Sequence, residues 1–202
     1  MNIIFDLDGT LIDSKPRLYA LFQQLVPASE LTFEQYWDFK HARLSNQAIL
    51  SQEFGYCEKE ITAFVSDWMG LIESPAFLEL DGNFPGMHEA LATLKLKARL
   101  HVCTARQLRE PVIVQLSQLG LLEYFDEVMV TEQCNTKESL IALQVTDLTP
   151  ADWIIGDTGK DVQVGDVLGI QTCAVLSGFM TRESLVGYNP GRILNSVTDF
   201  EP

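Results

Sequence analysis

Positive charge is scarce in this chain. Fourteen lysines and arginines stand against 28 aspartates and glutamates, a formal net charge of −14 over 202 residues. A surface of that sign repels nucleic-acid phosphates and anionic lipids, so neither nucleic acid nor membrane is an expected partner. It also repels a phosphorylated small molecule at long range, so a site for one would need local positive charge from a metal, lysine or arginine. Long apolar runs are missing too, and none approaches the roughly 20 residues of a membrane span. The first residues lack a basic region followed by an apolar stretch; they read as structure rather than as a leader, and the expected location is cytoplasmic. Cys57, Cys103, Cys134 and Cys173 are scattered without a C-x-x-C pair, and His41, His88 and His101 lack zinc-ligand spacing. Neither a disulfide framework nor a structural zinc is expected. Cys103 and Cys173 lie in apolar, strand-like runs and are expected in the core.

What is present is organised around the opening stretch. Ile3-Ile4-Phe5 reads as a short strand buried on both faces, and it runs straight into Asp6-Leu7-Asp8-Gly9. Alternate strand residues point the same way, so Asp6 and Asp8 are expected side by side at the carboxyl end, where open α/β sheets bind ligands. Two acids so placed repel unless a cation lies between them or one stays protonated. The pairing suits a magnesium-assisted reaction, with one carboxylate as nucleophile and the other as proton carrier.

Residues 15–81 change character. Apolar residues at helical spacing over Arg17–Leu25, Phe33–Phe39, Gln47–Phe54 and Ile61–Ile72, with no convincing strand between, predict a small helical insertion. Thr32 with Gln35 three residues on is a capping-box pattern. Trp37, Phe39, Phe64 and Trp68 are expected in its core, whereas Lys40, His41, Arg43, Ser45 and Asn46 form a polar cluster between helices. From Met87 the pattern alternates. Helices are expected at Met87–Leu96, Leu108–Leu119, Lys137–Gln144 and Val162–Leu168; strands at Ala98–Cys103, Glu127–Val130, Trp153–Ile155 and Thr172–Leu176; then a loop leads to a short terminal element. Alternation of this kind predicts an α/β fold with a parallel sheet covered on both faces, built from residues 1–14 and 82–202 around the 15–81 insertion.

The strand ends then bring Asp6 and Asp8, Thr104, Lys137, and Asp157 with Asp161 to one edge. Carboxylates suit magnesium, which prefers hard oxygen ligands, and a hydroxyl with an ammonium suits phosphate oxygens. Taken singly, each residue has a plainer role as a turn, a helix cap or a solvated side chain. Their joint order is harder to explain that way.

Asp6-Leu7-Asp8-Gly9-Thr10 resembles the first signature of the haloacid dehalogenase-like (HAD) hydrolases in its phosphatase version. Thr104, the lysine Lys137 and Gly156-Asp157-Thr158-Gly159-Lys160-Asp161 are similar to the second, third and fourth, in order. The resemblance implies a Rossmann-like HAD core with an inserted helical C1 cap at 15–81, phosphoglycolate phosphatase-like. It implies Asp6 as nucleophile through an aspartyl-phosphate, and Asp8 as the acid that protonates the leaving group and then activates water. Thr104, Ala105 and Lys137 would bind the substrate phosphate. Asp6, Asp157, Asp161 and Asp8, the last by its backbone carbonyl, would hold Mg2+. Ala105 follows Thr104 where many relatives carry Asn, and Arg106, with Arg43 of the insertion, is a candidate substrate contact. Lys160 competes with Lys137 for the lysine role. The implied activity is hydrolysis of a small phosphorylated metabolite. A sugar phosphomutase, and a binding protein that keeps the fold without turnover, are the alternatives; a dehalogenase is disfavoured because its leaving halide needs no acid such as Asp8. Neither the substrate nor the oligomeric state is set by the sequence.

Overall fold

The computed structural model describes residues 1–202, which divide into two compact units: Met1–Asp13 with Gly82–Pro202, and Ser14–Asp81. The chain opens with strand β1 (Asn2–Phe5) and the two-residue strand β2 (Ile12–Asp13). Five helices follow in the second unit, α1 (Lys15–Leu25), α2 (Phe33–His41), α3 (Asn46–Glu53), α4 (Glu58–Leu71) and α5 (Pro75–Leu78). The chain re-enters the first unit at β3 (Gly82–Asn83). It continues through α6 (Met87–Lys95), β4 (Arg99–Thr104), α7 (Arg109–Gln118), β5 (Glu127–Val130), α8 (Lys137–Gln144), β6 (Trp153–Gly156), α9 (Gly159–Leu168), β7 (Gln171–Val175), α10 (Arg182–Val186) and β8 (Arg192–Leu194).

Six strands form one sheet in the order β5-β4-β1-β6-β7-β8, and every neighbouring pair is parallel. The order reverses at β1, whose flanks are β4 and β6. That reversal opens a crevice outside the carboxyl ends of these three strands. Side-chain alternation along β1 feeds two separate apolar layers. Ile3 and Phe5 join Leu91, Val112, Leu116 and Val102 on the face covered by α6 and α7. Ile4 joins Cys103, Ile141, Ile154 and Val164 on the face covered by α8 and α9. A strand buried on both faces must be apolar throughout, which is why the opening run has no polar alternation before Asp6. At its other end, Asp152 clamps β1: the Asn2 backbone N–H donates to Oδ1 at 2.6 Å and its Nδ2 donates to Oδ2 at 3.1 Å.

Several features lie outside the sequence expectation. The β2–β3 ribbon pairs Ile12 with Asn83 and Asp13 with Gly82, too short a run for periodicity to reveal. Helix α5 is a single turn with a proline in its first positions, the one place in a helix where the missing N–H costs nothing. The terminal element is an edge strand, β8, which pairs through Ile193 with Ala174. Helix α9 also begins at Gly159, three residues before the apolar periodicity starts, because the Asp161 carboxylate accepts from the backbone N–H of Thr158 at 3.2 Å and from its hydroxyl at 2.7 Å.

The unit Ser14–Asp81 has its own core. Leu21, Phe22, Tyr36, Ile49 and Leu50 are fully buried, and Phe22 stacks within 4.9 Å of Tyr36 and 6.1 Å of Phe64. Of the four aromatics expected in this core, Trp37 and Phe64 are buried, whereas Phe39 and Trp68 are only half-buried. The capping box at α2 is formed reciprocally by Thr32 and Gln35. Arg17, also buried, pairs with Asp81 at 3.0 Å and donates to the Ile72 carbonyl at 3.0 Å, tying α1 to the end of the segment.

Candidate active site

Four strand ends supply the site. Asp6 follows β1 directly, and its backbone N–H donates to Ile155 of β6 at 2.9 Å, extending the ladder by one residue. This fixes the Asp6 side chain in the crevice. Lys137, at the start of α8, reaches it with Nζ 2.8 Å from Asp6 Oδ1 and 2.6 Å from Asp161 Oδ1. Asp157, after β6, is completely buried. One of its oxygens accepts from the Phe179 backbone N–H at 2.7 Å; the other, Oδ1, has no partner. Ligand oxygens of Asp6, Asp157 and Asp161 lie within 4.8 Å of one another.

The charge balance of this cluster is unfavourable by itself. Three carboxylates share one ammonium in a largely buried crevice. Burial pushes the Asp6 carboxyl up to about 6, against the opposing pull of Lys137. Asp157 is raised well above the usual carboxylate range, first by burial and then by the charges of Asp6 and Asp161. Burial works against the Lys137 charge, but Asp161 and Asp6 more than offset it, so the ammonium is held protonated beyond its ordinary value. A divalent cation would remove the excess negative charge. The donor set is all hard carboxylate oxygen, and the orphaned Oδ1 of Asp157 is a buried acceptor in want of a partner; both fit such an ion.

Asp8 belongs to a different group. Its carboxylate is gripped by Arg106, Nε to Oδ2 at 2.6 Å and Nη2 to Oδ1 at 2.8 Å. The Asp8 side chain therefore pairs with Arg106 and is not one of the three clustered acids Asp6, Asp157 and Asp161. Thr104 is buried at the end of β4, Ala105 is exposed beside it, and Arg106 is buried. Lys137 lies among the carboxylates, while Lys160 is exposed on α9. Arg43 lies in the helical unit, exposed and with a left-handed backbone at φ 66°.

The family described as haloacid dehalogenase-like hydrolase matches residues 3–175. This chain belongs to that family. A phosphoglycolate phosphatase from Synechococcus elongatus is 26% identical over 98% of this chain and 94% of its own. A probable phosphatase, IndB, from Dickeya dadantii is 24% identical over 98% and 90%. Among solved structures, a haloacid dehalogenase-like hydrolase from Streptococcus pneumoniae superposes with a TM-score of 0.80 at 23% identity, covering 98% of this chain and 95% of that one, a likeness of fold. The parallel sheet with helices on both faces is thus the Rossmann-like core of a HAD-like hydrolase.

Two contributions to the site of this HAD-like hydrolase have no counterpart in the sequence reading. Gln115 of α7, buried, accepts from Arg106 Nη2 at 3.2 Å, a glutamine on the core side of an otherwise apolar helix face being the only signal. The loop after β7 closes over Asp157. Ser177 donates its hydroxyl to the Gly9 carbonyl at 2.8 Å, and a Cβ built on Gly178 would fall 2.0 Å from Asp157 Oδ2. Gly9, at φ 77°, faces the same carboxylate, with a hypothetical Cβ 2.7 Å from Oδ2. Asp157 is packed between two glycines because no side chain fits there. Cys103, whose thiol is pushed by burial up to about 12, stays protonated behind Lys137 and takes no part.

Proposed function

We propose that the protein is a magnesium-dependent phosphatase that hydrolyses a small phosphorylated metabolite through an aspartyl-phosphate on Asp6. The observation that carries the proposal is the placement of Asp6: an anionic oxygen at the carboxyl end of β1, held by Lys137 and within 4.8 Å of two further carboxylates fit for a cation. The names of the relatives, a phosphoglycolate phosphatase and a probable phosphatase, support the same reading.

In the first half-reaction Asp6 attacks phosphorus, the bond to the leaving oxygen breaks, and Asp8 supplies the proton that oxygen takes up. In the second, a water attacks the phosphorus of the aspartyl-phosphate. Asp8 takes its proton, and the electron pair of the broken bond returns to Asp6. Lys137, Thr104 and the backbone at Ala105 hold phosphate oxygens through both halves. Asp6, Asp157 and Asp161 would hold Mg2+, which when bound would supply charge neutralisation for the phosphoryl group. The helical unit Ser14–Asp81 takes the role of the substrate-selecting cap, with Arg43 a contact in it.

The test is hydrolysis of 4-nitrophenyl phosphate with magnesium and with chelator, by the native chain and by Asp6→Asn. The expected result is magnesium-dependent phosphate release that falls by about 10³-fold or more in Asp6→Asn. Release that survives the substitution removes the covalent route.

A further inference from the structure

Resting on that reading, we infer that Arg106 is the positioning residue for the Asp8 proton carrier, and that the two side chains work as one unit. Both Asp8 oxygens accept from the guanidinium, at 2.6 and 2.8 Å, in the side-by-side fork that fixes the plane of a carboxylate as well as its place. Asp8 needs such a holder. It follows Leu7 at the point where the chain leaves the strand, and its side chain remains 19% exposed, against 4% for Arg106. Arg106 is itself anchored in the core domain. Its carbonyl accepts from Glu132 at 3.1 Å, Nη2 donates to Gln115 at 3.2 Å, and Gln115 belongs to α7, which is packed on the sheet through Val112 and Leu116. Rigid elements thus determine where the guanidinium lies, and the guanidinium determines where the carboxylate lies. Small errors in the position of a proton donor cost rate steeply. Lysine could supply the charge but not the fork.

The arrangement separates Arg106 from the groups assigned to the phosphate. Lys137 faces Asp6 and Asp161, whereas Arg106 spends Nε and Nη2 on Asp8. Through those two nitrogens its effect on the reaction passes by way of Asp8. Arg106 keeps all its protons throughout; the proton that moves goes from Asp8 to the leaving oxygen, then from water to Asp8.

Leaving groups that differ in their need for a proton give the test. Nitrophenolate departs without one, and a glycerol alkoxide does not. Steady-state kcat and KM are compared on 4-nitrophenyl phosphate and glycerol phosphate for the native enzyme, Arg106→Gln, Arg106→Lys, Asp8→Asn and the double variant Asp8→Asn/Arg106→Gln. Arg106→Gln is expected to lower kcat/KM on glycerol phosphate by about 100-fold and on the aryl ester by less than about fivefold, while kcat falls on both esters because Asp8 also activates the water that hydrolyses their common aspartyl-phosphate. Arg106→Lys is expected to fall between. The double variant is expected to be no slower than Asp8→Asn on glycerol phosphate, because a residue acting through Asp8 has nothing left to position. A KM that rises equally on both esters at unchanged kcat overturns the inference and makes Arg106 a phosphate ligand. So do losses that multiply in the double variant. Should Arg106→Gln not fold, the double variant, which removes both charges, carries the comparison against Asp8→Asn. A native enzyme inert to both esters refutes the phosphatase reading itself and this inference with it, an outcome distinct from either variant result.

Discussion

Replacing Asp157 by asparagine should make the metal-free protein more stable while destroying its site. Asp157 is fully buried, spends one oxygen on the Phe179 N–H and has no partner for the other. Asparagine has the same shape, can keep the accepted bond, and presents an amide donor where carboxylates crowd. The scale comes from its neighbour. Raising Asp6 from 3.8 to about 6 corresponds to about 3 kcal/mol at about 1.4 kcal/mol per pH unit. Burial is the largest cause of that shift and of the rise at Asp157, where the charges of Asp6 and Asp161 come next. Replacing the buried Asp157 carboxylate by a neutral amide should therefore stabilise the metal-free fold by about 1–3 kcal/mol, or a Tm rise of about 3–10 °C for a chain of this length. The sign with pH follows from the direction of the shifts. Carboxyls whose folded values are raised weaken the fold as pH climbs from their ordinary values through the folded ones, so the gain should be largest near pH 8 and shrink toward pH 5. The assay is thermal melting with chelator at both pH values, followed by magnesium titration, in which the variant should show little response. A variant that melts below the native chain at pH 8, or a gain of equal size at both pH values, would refute the buried-charge account.

Other expectations follow from the same geometry. Magnesium at about 100 times its Kd should raise the native Tm by roughly 5–10 °C, and by more at pH 8 than at pH 5, where protons compete for the carboxylates. Lys137→Met should cut phosphate release by about 100-fold or more, whereas Lys160→Met, on the exposed face of α9, should stay within about twofold; parallel rate measurements decide between the two lysines. Gly178→Ala places a methyl 2.0 Å from Asp157 Oδ2, so melting should show a loss of about 1–3 kcal/mol and magnesium titration a weaker affinity.

The sequence made the strand-end residues readable because each is signalled locally. Ile3-Ile4-Phe5 can only be a strand buried on both faces, and Trp153-Ile154-Ile155 before Gly156-Asp157 repeats the pattern, so the acids at their ends fall to the same edge. Lys137, by contrast, reads alone as a solvated side chain and was singled out by its place in the order of the four signatures. Less readable were contacts made between stretches far apart in the chain. The grip of Arg106 on Asp8 spans 98 residues, and the two acids, which strand alternation predicts as neighbours, are drawn to different partners, Asp6 to Lys137 and Asp8 to Arg106. The loop Ser177–Phe179 carried no signal at all. Its part in the site is made by a backbone N–H and by the absence of a side chain at Gly178, and neither leaves a mark on composition or periodicity.

The β2–β3 ribbon has a consequence for the ancestry of such chains. By pairing Asp13 with Gly82 and Ile12 with Asn83, it brings the point where the helical segment departs and the point where it returns side by side. The sheet is therefore indifferent to what is threaded between those residues, since lengthening a loop whose ends are already joined adds little entropy cost. The segment in turn has its own packed aromatic centre and its own ion pair, Arg17 to Asp81, closing it on itself. A recombination event at this doorway could exchange one helical cassette for another while the carboxylates at the strand ends stay where they are. The helical segment and the strand-end acids are in this way free to vary separately within one polypeptide.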